Sequence, residues 1–270
     1  MAIDLFSIGK FTVHGYGLMI ALGFLFALIY ATWQCKKSGL NDDYLFNLAM
    51  FVLIFGWMGG KLLFIIVEFK EFLKSPLAVL GSEGFVVYGG IISGLITILV
   101  YCRMKKIDTF RYIDVIVAGV AINQGFGRIG CFLAGCCYGR PTTSWIGVVF
   151  PEGCMAPAGV KLVPTQLISA AADFLMFIIL FTILNSKKYK KGVPVGVYLT
   201  GYAIGRSIIE CFRSDARGAV GSLSTSQFIS IFVGLAGIIY LIFIIKNKNL
   251  GMEKVDIKQV DTEEKEKEQE

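Results

Sequence analysis

The chain has 270 residues, 55% hydrophobic and only 17% charged, with a mean hydropathy of +0.68. Soluble domains carry about 25% charged residues, so an ordinary water-soluble globule is excluded. The formal net charge of +6 sits in short clusters between apolar runs. No basic face is interleaved with stacking aromatics, so nothing supports a nucleic-acid partner.

Seven apolar runs are predicted to cross a membrane as helices: residues 16–33, 45–67, 86–102, 113–132, 167–184, 195–211 and 228–245. Each is long enough for a hydrocarbon core of about 30 Å. The expected fold is an all-α integral membrane protein with seven transmembrane helices. Short alternating segments, the mark of a β-barrel, are absent. The first run has no basic leader and no small-residue cleavage site after it, so a cleaved signal peptide is not expected. The fourth run is the least regular, because it holds glycines and Arg128.

The loops set the orientation. Lys36 and Lys37 follow the first run, and Arg103, Lys105, Lys106 and Arg111 the third. Lys187, Lys188, Lys190 and Lys191 follow the fifth, and Lys246 and Lys248 the seventh. The intervening loops mix both signs, as with Glu68, Lys70, Glu71, Lys74 and Glu83, or are nearly neutral. The positive-inside rule then places the N-terminus outside and the C-terminus in the cytoplasm. Residues 1–250 form the expected membrane domain. Residues 251–270, charged and without aromatics, form a cytoplasmic tail expected to be disordered or loosely helical.

Arg128 is the most informative residue. It lies in an apolar stretch beside glycines at 125, 127, 130, 135 and 139. A guanidinium in hydrocarbon costs several kcal/mol, so it faces a polar cavity, pairs with an anion or snorkels to the interface. A fixed arginine among small neighbours suits a lipid phosphate. Other polar residues gather at the same predicted outer level: His14 and Tyr16 at the start of the first run, Tyr88 before Gly89-Gly90, Gln166 after Pro164-Thr165, and Arg206 with Glu210. Lys61 lies midway along the second run, and Arg213 and Arg217 follow the sixth. Arg206 and Glu210 are four residues apart, a spacing that faces an arginine with an acid on one helix face. Lys61, Arg128 and Arg206 outnumber that acid, and unbalanced buried cations ask for an anionic ligand. Asp173 remains a possible structural counter-charge. Asp114 is too far, since fourteen residues of helix span about 21 Å.

Seven cysteines are present, and Cys131, Cys136, Cys137 and Cys154 fall in or near the segment after the fourth run. With no C-x-x-C spacing and a single histidine, neither a metal site nor a cofactor is expected. Buried apolar roles and a disulfide in an oxidising exterior both stay open.

Several stretches resemble the prolipoprotein diacylglyceryl transferase family. They are Gly127-Arg128-Ile129-Gly130 with Gly139-Arg140, Phe6-Ser7-Ile8-Gly9, His14-Gly15-Tyr16-Gly17-Leu18-Met19, Tyr88-Gly89-Gly90, Pro164-Thr165-Gln166-Leu167, and Gly205-Arg206 through Arg213. The resemblance implies a multi-pass enzyme of the bacterial cytoplasmic membrane with its site toward the outer leaflet. It would move diacylglyceryl from phosphatidylglycerol to the lipobox cysteine thiol in the signal peptide of a preprolipoprotein, releasing glycerol phosphate. It implies that Arg128 holds the head group and that Arg206 is a second essential arginine partnered by Glu210. Tyr16 would line the lipid pocket, and Gly139 ends the signature. Lys61 stands where an arginine is common, and Gln166 lies in a matched motif beside the substrate.

This chain also departs from the family pattern. Tyr88 replaces a common histidine, leaving Tyr88 or His14 to take the thiol proton. Cys131 replaces an asparagine, Cys136 an acid, and Ile168-Ser169 a Tyr-Glu pair. Rival readings are a related transferase with another acceptor, a non-catalytic lipid-binding or transport protein, and an oxidoreductase using Cys136 and Cys137.

Overall fold

The computed structural model describes residues 4–8, 11–82, 84–186, 188–214, 219–221, 223–247 and 252–254. Gly9, Glu83, Lys187, Arg217 and Lys248, all named above, lie outside these. So does the charged tail, apart from Met252–Lys254.

In chain order the elements are β1 (Asp4–Ile8), β2 (Phe11–His14), α1 (Gly15–Lys37), α2 (Asp42–Val67), α3 (Phe69–Lys74), α4 (Pro76–Gly81), α5 (Val87–Lys105) and α6 (Thr109–Ala134). There follow β3 (Val148–Val149), β4 (Lys161–Leu162), α7 (Thr165–Leu184), β5 (Lys188–Lys190), α8 (Val193–Glu210), β6 (Ala219–Val220), β7 (Leu223–Ser224), α9 (Thr225–Lys246) and β8 (Met252–Lys254). Among the described residues the strands pair as small antiparallel ribbons: β1 with β2, β3 with β4, β5 with β8, and β6 with β7.

Every predicted run lies on a helix. Among the described residues, six helices are long and apolar enough to cross a membrane: α1, α2, α5, α6, α7 and α9. The run at 195–211 falls on α8, an 18-residue helix whose hydropathy is diluted by Thr200, Arg206, Ser207 and Glu210. The short helices α3 and α4 occupy the mixed-charge loop after the second run, where apolar periodicity is too brief to predict a helix.

The chain divides into two units, Cys35–Ile113 and the discontinuous remainder, Met1–Gln34 with Asp114–Glu270. In the first, α2 packs on α5 through small residues. A Cβ on Gly89 would stand 2.3 Å from the Gly59 carbonyl oxygen, so the two backbones touch there. Small-residue contacts of this kind let helices associate where lipid removes the hydrophobic drive. Asn41 caps α2 by accepting from the Asp43 and Tyr44 amides.

In the larger unit, α8 packs on α9 and α7, again over glycines. A Cβ on Gly196 would meet Leu241, and one on Gly201 would meet Met176. Ser224 and Gln227 form a capping box that starts α9. The core joins Tyr30 of α1, Val117, Ala118, Ala121 and Ile122 of α6, and Leu180 and Leu184 of α7.

The two ends of this unit differ. At one end, buried Asp114 accepts from the Gly192 amide at the start of α8, at 2.7 Å. There Lys190 also donates to the last carbonyls of α9, with Ile245 at 2.7 Å, a favourable place for a cation. The other end gathers the C-termini of α6 and α8 with the N-termini of α1, α7 and α9.

Candidate functional site

At that second end the loops are tied together before any functional group is placed. Helix α6 stops in a Schellman motif. Gly135 takes φ 68, its amide binds the Phe132 carbonyl at 3.1 Å, and the Cys136 amide binds the Cys131 carbonyl at 3.1 Å. The Gly139 amide then donates to the Val163 carbonyl at 3.0 Å, and the Arg140 amide to that of Phe212 at 2.9 Å. A Cβ on Gly139 would stand 2.7 Å from the Val163 oxygen and 2.9 Å from the Phe212 oxygen. Only glycine lets these three stretches cross, so Gly139 acts on the site through the backbone.

Thr165 and Gln166 extend the same knot. The Thr165 hydroxyl donates to the Cys137 carbonyl at 2.8 Å, and the Gln166 amide nitrogen to that of Cys136 at 2.7 Å. Gln166 is fully buried, and its Oε1 makes no hydrogen bond among the described residues.

Inside this frame lies a small cavity of about 40 Å³ between α6, α7 and α8. Its polar lining is Arg128, Ser169, Asp173, Tyr198, Tyr202 and Arg206. Arg206 forms an ion pair with Glu210 at 2.8 Å, and both side chains are buried. Its Nη2 also donates to the Ser226 hydroxyl at the start of α9, at 2.7 Å. Its Nη1 is buried with no hydrogen-bond partner among the described residues. Arg128, half-buried, has neither a hydrogen bond nor an ion pair among them. Asp173 shares the cavity but forms no ion pair there, so it moderates the field without consuming either guanidinium. The outcome is two adjacent arginines with donor capacity left over, one of them fixed by an acid and a hydroxyl. Such a pair can hold a tetrahedral oxyanion through charge-assisted bonds.

The same unit carries an open apolar groove of about 500 Å³, lined by aromatic and aliphatic residues of α1, α6 and α7, including Phe26, Trp33, Phe126, Phe174 and Phe181. Phe126 and Phe174 meet edge to face, 5.7 Å between centroids. Phe174 follows Asp173 on α7, so this one helix lines the charged cavity with one face and the groove with another. A polar cradle and an apolar slot on the same helix are the two surfaces an amphiphile needs.

Several of the residues singled out from the sequence come together here. Arg128, Arg206 and Glu210 share the cavity or its wall. Tyr16 lies across α6, its ring packed where a Cβ on Gly130 would be 3.1 Å away. His14 ends β2 on the exposed surface. Lys61 and Tyr88 belong to the other unit. The Lys61 ammonium is engaged by its own loop, donating to the Ser82 carbonyl at 2.7 Å and to that of Gly84 at 3.4 Å. Tyr88 opens α5 with its ring half exposed.

Two features of the site are not among the residues expected from the sequence. Tyr198 and Tyr202 line the cavity, stacked 5.9 Å apart, and the Tyr198 hydroxyl donates to Gln124 at 2.8 Å. The signal was available, because residues 198, 202, 206 and 210 repeat at four-residue spacing along one face of α8. The second feature is a thiol cluster. The sulfur atoms of Cys131, Cys136 and Cys137 all lie within 4.8 Å of one another. Hydrogen bonds from the Cys131 and Cys136 thiols, and then from Arg213, hold the Cys137 thiol well below its ordinary range despite desolvation. The same contacts push the Cys136 thiol up. No disulfide links these cysteines.

Comparison with known proteins adds the family. The family model described as prolipoprotein diacylglyceryl transferase matches residues 4–243. A phosphatidylglycerol–prolipoprotein diacylglyceryl transferase of Clostridium tetani is 47% identical, over 87% of this chain and 94% of its own length. A protein of Clostridium perfringens with the same name, numbered 2, is 44% identical over 88% of this chain and 94% of its own. A second from that organism, numbered 1, is 31% identical over 92% and 97%.

Proposed function

The chain belongs to the prolipoprotein diacylglyceryl transferase family, and from that premise we propose that it transfers the diacylglyceryl group of phosphatidylglycerol to the lipobox cysteine thiol of a preprolipoprotein. The observation that carries the reading is Arg128, a cation without a hydrogen bond or ion pair among the described residues, facing the Arg206–Glu210 couple across one small cavity. A half-buried cation without a partner, beside a second buried arginine, suits an anion, and the lipid phosphate supplies it.

In this reading Arg128 and Arg206 bind the phosphate and stabilise it as it departs. Glu210 holds Arg206 in place, and the apolar groove takes an acyl chain. The acceptor sulfur attacks the glyceryl carbon, a C–S bond forms, the C–O bond to phosphate breaks, and glycerol phosphate leaves. The thiol proton passes to His14, directly or through water. Tyr16 covers the lipid beside Arg128, and Gly139 and Gln166 keep the loop frame in shape.

The membrane arrangement is part of the proposal: α8 is the sixth of seven spans, the N-terminus is outside, and the site opens to the outer leaflet of the bacterial cytoplasmic membrane. Lys190, Lys191 and Lys246 at the end opposite the arginine cavity support it. The test is a mass-shift assay on purified protein with phosphatidylglycerol and a lipobox peptide. A diacylglyceryl adduct on the peptide cysteine, lost with Arg128→Ala, is the expected result. No adduct, with phosphatidylglycerol still bound in an Arg128-dependent way, would redirect the proposal to a different acceptor.

A further inference from the structure

We propose that Cys131, Cys136 and Cys137 form a three-sulfur site for a thiophilic d10 cation, zinc(II) in the first instance, with a fourth coordination position left open. None of the three has a part in the transfer chemistry above. Three independent features put them together. The Schellman turn at the end of α6 folds Cys136 back over Cys131, so that the Cys136 thiol lies 3.6 Å from the Cys131 carbonyl oxygen. Cys137 takes φ 63, a left-handed conformation uncommon outside glycine that turns its side chain back toward the other two. Thr165 and Gln166 then clamp the carbonyls of Cys137 and Cys136, so the arrangement is held from outside the cluster.

The dimensions fit the ion. Zinc–sulfur bonds of about 2.3 Å place tetrahedral ligand sulfurs about 3.8 Å apart. The three sulfurs already lie within 4.8 Å of one another, so a contraction of about 1 Å completes the set. Access is present, because Cys136 and Cys137 are only half-buried. Charge favours a divalent over a monovalent ion. Three thiolates around zinc leave one negative charge, and Arg213 contacts Cys137 to offset it. The Gly139–Arg213 backbone bridge brings Arg213 there. A disulfide fits less well: Cys136 and Cys137 are adjacent and would close a strained ring, and any pairing leaves one thiol of the three unused.

The test reads the metal directly and so stands apart from transferase activity. Full-length protein in detergent is reduced with a phosphine, stripped of metal and titrated with cobalt(II), a spectroscopic substitute for zinc. Thiolate-to-cobalt charge-transfer absorption at a stoichiometric endpoint, displaced by added zinc, is the expected result. It should persist in Cys211→Ser and disappear in the Cys131→Ser, Cys136→Ser, Cys137→Ser triple variant. Cys136→Ser alone, the least disruptive change, should weaken cobalt binding by at least tenfold while keeping the wild-type thermal transition. Reduced wild-type protein with no such absorption, or absorption that survives the triple substitution, would overturn the proposal. A chain that binds cobalt without making adducts leaves this site standing and counts against the lipobox acceptor, and the converse result removes only this site.

Discussion

Lys61 and Arg128 are both cations on apolar helices, one in each unit, and they have opposite surroundings. Lys61 is 8% exposed and turns its ammonium onto the carbonyls of the loop before α5. Its charge is taken up by the protein, and that loop is folded around it. Arg128 keeps its donors free, and the nearest wall of its cavity holds a second arginine already balanced by Glu210. Composition gives the two residues equal weight as anion-binding candidates. Their partners separate them: a cation whose donors are satisfied by backbone stabilises a loop, and one whose donors remain free can hold a ligand.

The largest effect should come from Arg128. Arg128→Ala should lower the adduct rate about a thousandfold, about 4 kcal/mol, the loss expected when a donor to developing charge is removed. Arg128→Lys should do little better if the contact is bidentate, and near-wild-type turnover in the lysine variant would dismiss that geometry. Glu210→Gln comes next. It leaves the Arg206 guanidinium buried without its counter-ion, at a cost of about 3 kcal/mol. A thermal transition unchanged in Glu210→Gln would mean that the pair carries no structural load.

Gly139→Ala should cost about 2 kcal/mol by overpacking a backbone crossing that cannot yield. The lowered melting temperature should come with reduced turnover per folded molecule, because the same crossing frames the arginine cavity. Lys61→Met sharpens the comparison most. It strips two carbonyls of their donor, so stability should fall by about 1.5 kcal/mol, while turnover per folded molecule stays within a few-fold of wild type. Lost turnover at unchanged stability would return Lys61 to the site.

Much of this was legible in the sequence. The apolar runs located the helices, because hydrocarbon demands a long uninterrupted segment and tolerates little else. Arg206 and Glu210 were legible as a couple, since four-residue spacing fixes which residues face each other. The roles of Gly139, Gln166 and Lys61 were not, because each depends on a chain segment distant in sequence: Val163 and Phe212 for the first, Cys136 for the second, Ser82 and Gly84 for the third. The cysteines were legible as neighbours in sequence, but which sulfurs meet was not, because that depends on the left-handed residues Gly135 and Cys137.

The smallest effect discriminates by sign. Gly205 lines the arginine cavity from α8, and a Cβ built there meets nothing within 4 Å. Gly205→Ala should therefore stabilise the helix by about 0.5–1 kcal/mol, the ordinary gain on replacing a mid-helix glycine. The same methyl projects into space that a phosphate would occupy beside Arg206, so turnover should fall while the melting temperature rises. Those opposed signs separate a ligand cavity from a packing gap. If both quantities rise together, the space beside Arg206 is a void in the packing, and the phosphate must be held on the Arg128 side alone.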